Sequence, residues 1–466
     1  MLFRSADGAD GIEIAEGKEL TLKSTNTDIA LTTVAGVDNG VGEDITIQIV
    51  QSGGGGGEVT IAAVSTDMND VVITAPTINL QGDITTELDP GTDAGDTSDD
   101  DAASIDLNGA VVIDGATRTL TSGNGTIDFS STVNSKAGEG RGLTIVSGSG
   151  AVGFNGAIGT ATTGGAGTLG ALTVNSADGN SGNITFGTSA DIGTATAAGA
   201  SSITVGNGDT VTLAINGAEY FTTGNQEYEA NNITISGTNP DFHASADTSH
   251  IKFIDGAAGD IVLADAANLT VQTNNGLIDI EPQIKGTAEG DKTSVTLSSS
   301  GSGGTGTIVL DNTGGAVIGT DIGDISLTGG TITVSHDIES AAGAIDIDGA
   351  FVLNKSNGTI TVTTGTTGAG NIDFDSTIRA TTAAGNAESL TIINGSGTVG
   401  IGGIIGGGTK PLKALNIAAS AATDTGAVTI KQIGADASTA GATTVTIGHT
   451  GNALSSITFS GSVYTS

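Results

Sequence analysis

Six aspartates fall within thirteen residues in the segment Asp89-Pro90-Gly91-Thr92-Asp93-Ala94-Gly95-Asp96-Thr97-Ser98-Asp99-Asp100-Asp101. Carboxylate oxygens on a short polar loop are the ligands that Ca²⁺ takes. The spacing nevertheless lacks the D-x-D-x-D-G run and the closing bidentate glutamate of an EF-hand. The calcium β-roll nonapeptide is missing too, since Gly164-Gly165-Ala166-Gly167-Thr168 continues into Leu169 and Gly303-Gly304-Thr305-Gly306-Thr307 into Ile308. The segment reads as a solvated acidic insertion. Weak calcium binding at Asp89, Asp93, Asp96, Asp99, Asp100 and Asp101 is its alternative, and no other metal or cofactor is expected.

Further carboxylates, Asp106, Asp128, Asp346, Asp348, Asp373 and Asp375, are of the type that performs general acid and base work on glycosidic bonds. They alternate outward along short strands and read as solubilising groups. Catalysis also needs basic and aromatic neighbours that position substrate, and the chain has 14 Lys and Arg and 3 % aromatics. The histidines His243, His250, His336 and His449 are scattered without metal spacing, the closest pair lying seven apart. Gly148-Ser149-Gly150-Ala151-Val152-Gly153 and Gly395-Ser396-Gly397-Thr398-Val399-Gly400 both satisfy G-x-G-x-x-G. A dinucleotide site requires a helix after the motif. Here a further strand follows, so both read as turns. The run Gly53 to Gly57 lacks the Lys-Ser/Thr of a P-loop and reads as a loop. With no cysteine there is no thiolate nucleophile, thiolate metal site or disulfide framework. The chain is expected not to be an enzyme.

Composition narrows the partners. Among 466 residues, 51 Asp and Glu face 14 Lys and Arg, a net charge of −37, and only Arg4, Arg118, Arg141 and Arg379 are arginines. Nucleic-acid affinity comes largely from basic side chains displacing counterions, so no nucleic-acid partner is expected. A mean hydropathy of +0.13 with regularly placed β-branched residues argues against disorder. No apolar run approaches the roughly 18 residues of a membrane-spanning helix. The opening Met1-Leu2-Phe3-Arg4-Ser5-Ala6-Asp7 is polar too early for a secretory signal, which suggests a fragment or a processed form.

The elements that must position these residues are short strands. Bursts such as Leu20-Thr21-Leu22, Ile105-Asp106-Leu107, Ile127-Asp128-Phe129 and Ile345-Asp346-Ile347 alternate with period two. Gly, Asn, Asp and Ser clusters between them suit left-handed and tight turns. No window sustains helical periodicity. Alternate bursts recur at roughly 20 residues, a β-solenoid spacing that would make about 23 coils.

A longer period also runs through the chain. Ile78-Asn79-Leu80-Gln81-Gly82-Asp83-Ile84 matches Ile332-Thr333-Val334-Ser335-His336-Asp337-Ile338 at an offset of 254, and Ile105 to Ala110 matches Ile345 to Ala350 at 240. Leu143-Thr144-Ile145-Val146-Ser147-Gly148-Ser149-Gly150 matches Leu390-Thr391-Ile392-Ile393-Asn394-Gly395-Ser396-Gly397. The expected architecture is all-β, a right-handed parallel β-solenoid of two tandem modules, 1–222 and 251–466, joined by a connector, 223–250. Matched positions are apolar residues and turn glycines, which preserves a fold rather than a site. The connector region collects Tyr220, Phe221, Tyr228, Phe242, His243, His250 and Phe253. It reads as an insertion packed over the junction, with a binding patch as the alternative. Neither chain end carries a polar cap, so copies are expected to stack end to end or to belong to a longer array.

The string L-T-[IV]-x-[SN]-G-S-G-x-V-G-[FI]-x-G-x-I-G, followed by L-x-A-L-[TN]-[VI], resembles the repeat regions of filamentous-haemagglutinin-like bacterial adhesins and giant β-strand-repeat surface proteins. The likeness covers about 60 residues in each module. It implies an extracellular fibre or adhesin stalk on a bacterial cell surface, assembling with itself and meeting glycans or other cells. The chain departs from that family in having no secretion domain, no N-P-N-G element and no β-roll tail. Thr77-Ile78-Asn79-Leu80-Gln81-Gly82-Asp83-Ile84 is similar to strand repeats of phage tail spikes, which is the alternative. A polysaccharide-acting β-helix enzyme is the further one.

Overall fold

The computed structural model describes residues 11–14, 19–36, 43–50, 56–65, 68–86, 103–160, 166–256, 259–265, 267–287, 293–301, 304–312, 315–319, 321–365, 370–381, 388–406, 410–418, 426–435, 441–449, 451 and 454–461. The alternating bursts form strands because β-branched and aromatic side chains fit a pleated surface buried on one face. Among the described residues every regular element is a strand, so no helix is long and apolar enough to cross a membrane. The chain divides into two units, Met1–Ile233 and Thr234–Ser466. Within each, parallel strands curl around an axis, the arrangement of a β-solenoid.

Three ladders build the first unit. One pairs Val71, Ile105, Ile127, Val152, Ile184 and Leu213 in turn. A second runs Ile78, Val111, Val133 and continues through single bridges at Ile158, Ile192 and Tyr220. A third runs Ile84, Leu120, Ile145, Val174 and Val205. The second unit repeats the plan. Its ladders pass through Leu297, Leu327, Ile347, Phe374 and Ile401, through Ile308, Ile332, Phe351 and Ile378, and through Ile318, Ile338, Val362 and Ile392. Each coil is therefore three strands with three corners. Two short pairings are antiparallel: Ser135–Lys136 with Ala166–Gly167, and Gly193–Thr194 with Ala197–Ala198.

Coils are longer than the sequence spacing suggested. Leu327 to Ile347 takes 20 residues, Ile105 to Ile127 takes 22, and Val71 to Ile105 takes 34. The first ladder has eight described rungs from Leu20 to Leu213 in one unit and nine from Phe242 to Phe459 in the other, in place of about 23 coils. Corner segments vary in length while rungs stay paired, so a spacing measured between bursts underestimates the coil.

Ladder side chains fill the interior and are almost wholly shielded. Each buried Val, Ile, Leu or Phe contributes roughly 1.5–3 kcal/mol. Phe129, Phe154 and Phe186 stack on successive coils at 4.9 and 5.1 Å with planes within 5°, and Tyr220 closes on Phe186 edge-on at 5.9 Å. In the second unit Phe351 meets Phe374 at 5.2 Å. Ser456–Phe459 differs from other strands of its ladder. Ile457 and Phe459 pair with the fully buried Val428 and Ile430 yet are 47 % and 50 % exposed.

The span 223–250 carries strands at Gln226–Ala230, Ile233–Ile235 and Asp241–Ala244. Tyr220, Tyr228, Phe242 and Phe253 are fully buried, so their rings form no surface patch. Tyr228 Oη donates to Gln226 Oε1 at 3.0 Å, and Gln226 Nε2 donates to the Tyr220 carbonyl at 2.7 Å.

Candidate functional site

Corners are closed by side chains rather than by ligands. Ser122 and Ser147 each donate to the carbonyl of the glycine three residues on, both at 2.6 Å, and Ser340 does so at 3.0 Å. Asn394 donates to Gly397 in the same manner. The fully buried Asn175 exchanges hydrogen bonds with Ser147, its Oδ1 accepting from the Ser147 amide and its Nδ2 donating to Ser147 Oγ, each at 2.8 Å. Asn207 Nδ2 donates to the carbonyls of Asn175, Ala177 and Asn180. These serve the backbone groups that turning three times per coil would otherwise leave unpaired.

This geometry explains both G-x-G-x-x-G strings. Gly148 and Gly395 are left-handed, with φ of 59° and 53°. A Cβ at Gly150 would lie 1.9 Å from the Gly125 carbonyl oxygen of the neighbouring coil. Gly153 and Gly400 sit beneath carboxylates, where a Cβ would lie 2.3 Å from Asp128 Oδ1 and 2.2 Å from Asp373 Oδ1. Strands Val152–Phe154 and Val399–Ile405 follow the motifs. The glycines serve turns and close coil contact.

The outward aspartates meet in register. Asp106 lies opposite Asp128, and Asp128 opposite Gly153, while Asp346 lies opposite Asp373, and Asp373 opposite Gly400. Burial first, then the charges of Asp128 and Asp70, push the Asp106 carboxyl up, and burial raises Asp128 against the bond from Asn155. Burial followed by Asp375 and Asp348 raises Asp346, and burial followed by Asp346 and Asp375 raises Asp373. Two further carboxylates act as staples. Asp83 Oδ1 accepts from the Thr119 amide at 2.9 Å and Asp337 Oδ1 from the Thr361 amide at 2.7 Å.

A mixed cluster that sequence reasoning missed lies at the corner after the second ladder of the first unit. Asp114, whose side chain is 7 % exposed, accepts from Lys136 Nζ at 2.9 and 3.0 Å and from Gln81 Nε2 at 2.9 Å, with Asn79 Nδ2 at 3.4 Å. The Lys136 ammonium holds its carboxyl below the usual range. Arg118 donates to the Asp114 carbonyl at 2.6 Å. Glu139 Oε2 accepts from the Gly115 amide at 2.8 Å and from Arg141 Nε at 3.2 Å. Half of the chain's arginines meet here. Arg118, Lys136 and Arg141 lie about one coil apart in sequence, which is the signal that would have found them.

The corresponding corner of the second unit is neutral. Asp114 and Lys136 each lie three residues past a paired rung, Val111 opposite Val133. Three residues past the paired Phe351 and Ile378 stand Asn354 and Thr381, whose hydroxyl donates to Asn354 Oδ1 at 3.4 Å and to Glu388 Oε1 at 2.8 Å.

Asp89, Asp93, Asp96, Asp99, Asp100 and Asp101 lie outside the described residues. Among those described, no group of three or more His, Cys, Asp or Glu is placed to hold a metal ion. His336 Nδ1 lies 2.8 Å from Ser335 Oγ, and burial lowers its pKa. Set beside known proteins, the chain matches no family model, no curated protein and no solved structure.

Proposed function

We propose that this chain is a non-enzymatic segment of an extracellular surface filament, an adhesin stalk of the filamentous-haemagglutinin-like kind made of two tandem right-handed solenoid modules. One observation carries the reading: polar side chains in both units are used, coil upon coil, to hold neighbouring coils, and several do so at matching positions. Asp83 with the Thr119 amide corresponds to Asp337 with the Thr361 amide. Ser147 with the Gly150 carbonyl corresponds to Asn394 with that of Gly397. Asp106, Asp128 and Gly153 correspond to Asp346, Asp373 and Gly400. A stalk needs local, additive cohesion of this type.

Assembly with further copies, or within a longer array, is supported by Ser456–Phe459, where side chains at interior register are half exposed. Electron microscopy with analytical ultracentrifugation tests the reading. Filaments or elongated particles that lengthen with concentration are expected. Dispersed compact monomers at every concentration and salt refute it, and three chains wound about one axis would instead favour a tail spike.

A further inference from the structure

The corner after the second ladder has the same backbone plan in both units and different side chains. In the second unit Asn354 and Thr381 close it without charge. The ionic version in the first unit is therefore more than the fold requires. Its construction is also ordered towards solvent. Asp114 is nearly shielded and grips Lys136, whose side chain is 53 % exposed. Glu139, 25 % exposed, grips the Gly115 amide and the Nε of Arg141, whose side chain is 40 % exposed. One ammonium and one guanidinium are thus anchored on consecutive residues, Asp114 and Gly115. Their carboxylate partners hold them before any ligand arrives, which lowers the ordering cost of binding.

The charge balance selects the ligand. Asp114 and Glu139 offset Lys136 and Arg141, so the cluster attracts neither anion nor cation, and a chain of −37 repels anions at longer range. A sugar hydroxyl both donates and accepts, which suits alternating ammonium, guanidinium, carboxylate and amide groups. At the base of the cluster Asn79 Oδ1 and Arg118 Nε have no hydrogen-bond partner among the described residues.

We infer that Lys136, Glu139 and Arg141, backed by Asp114, form a contact site for a neutral, hydroxyl-rich saccharide on the first unit. The choice of a saccharide rests on the surface-filament reading; the site itself rests on the contrast between the two corners. The test is affinity electrophoresis of the full chain through gels containing mannan, galactan or dextran, for wild type and for Asp114→Asn with Lys136→Thr, which installs the pair found in the second unit. Retardation of the wild type in at least one gel is expected, with apparent affinity at least tenfold weaker in the double variant. Hydrogen exchange in Val133–Lys136 should be unchanged between them. No retardation of the wild type in any gel overturns the inference, as does equal retardation of both proteins. Exchange in that strand more than tenfold faster in the variant also overturns it, because the pair is then structural. Filaments without retardation leave the surface reading standing and remove the site, whereas retardation of a chain that never forms filaments does the reverse.

Discussion

Gly150 offers a direct measure of how tightly the coils are stacked. In Gly150→Ala the new Cβ would lie 1.9 Å from the Gly125 carbonyl oxygen and 2.4 Å from its carbon, where ordinary contact begins at 3.4 Å. Both are backbone atoms, so no rotamer change relieves the clash. The two coils must separate by about 1.5 Å on a rung spacing of about 4.8 Å. That strains the Ser147 hydroxyl bond to Gly150 at 2.6 Å and the Ile127 amide bond to Ala151 at 2.9 Å. Overpacking costs about 1–3 kcal/mol and each weakened bond about 1 kcal/mol, against a gain of about 0.4–1 kcal/mol from a stiffer unfolded chain. The net loss is about 2–4 kcal/mol, or about 30- to 1000-fold faster exchange by local opening. Hydrogen exchange read by mass spectrometry over Ile127–Phe129 and Val152–Phe154 measures this in the full chain. Gly56→Ala is the control, since a Cβ there meets nothing within 4 Å and the backbone is not left-handed. Gly179→Ala isolates backbone strain, with open space but φ of 88°. Exchange in Gly150→Ala no faster than in Gly56→Ala would refute the stacking argument.

Two further perturbations probe the polar rows. Asp106 and Asp128 have folded-state pKa values raised above the unfolded ones, so their contribution to stability is full below the ordinary carboxylate value and falls as pH rises through the raised values. Asp128→Asn should slow exchange of Ile105–Leu107 at pH 7 by a factor of up to about five, since like charges directly opposite cost about 0.2–1 kcal/mol, and the difference should vanish towards pH 3. Faster exchange at pH 7 would show that the bond from Asn155 outweighs the repulsion. Asn207→Ala removes donors from three carbonyls at a buried corner and should cost about 1–3 kcal/mol, read as faster exchange across Asn175–Asn180. Unchanged protection there would mean that solvent already serves those carbonyls.

Alternation alone identifies the interior. Ile105 and Leu107, Ile127 and Phe129, and Val152 are the apolar members of their bursts, and all are shielded. Coil length is less accessible, because three short strands per coil look alike and corners differ in length. Which outward residues become neighbours depends on that length. Asp106 meets Asp128 over 22 residues, and Asp346 meets Asp373 over 27. A pattern search at fixed spacing misses one pair or the other. The cluster of Asp114, Lys136 and Arg141 is hidden for the same reason, and the scarcity of basic residues is the clue that compensates for it. Gly153 and Gly400 look like turn glycines in the sequence. Their role beneath Asp128 and Asp373 emerges only once the coils are stacked.

The unequal coils have a consequence for how such a chain changes over time. Between Thr86 and Ala103 it accommodates sixteen residues that no ladder requires, yet Ile84 still meets Leu120 and Val71 still meets Ile105. Position along the axis is metered in rungs and not in residues. An insertion or deletion at a corner therefore lengthens a loop without shifting the phase of anything beyond it. Such a chain can gain or lose surface decorations one corner at a time, while the spacing between those that remain stays a whole number of rungs.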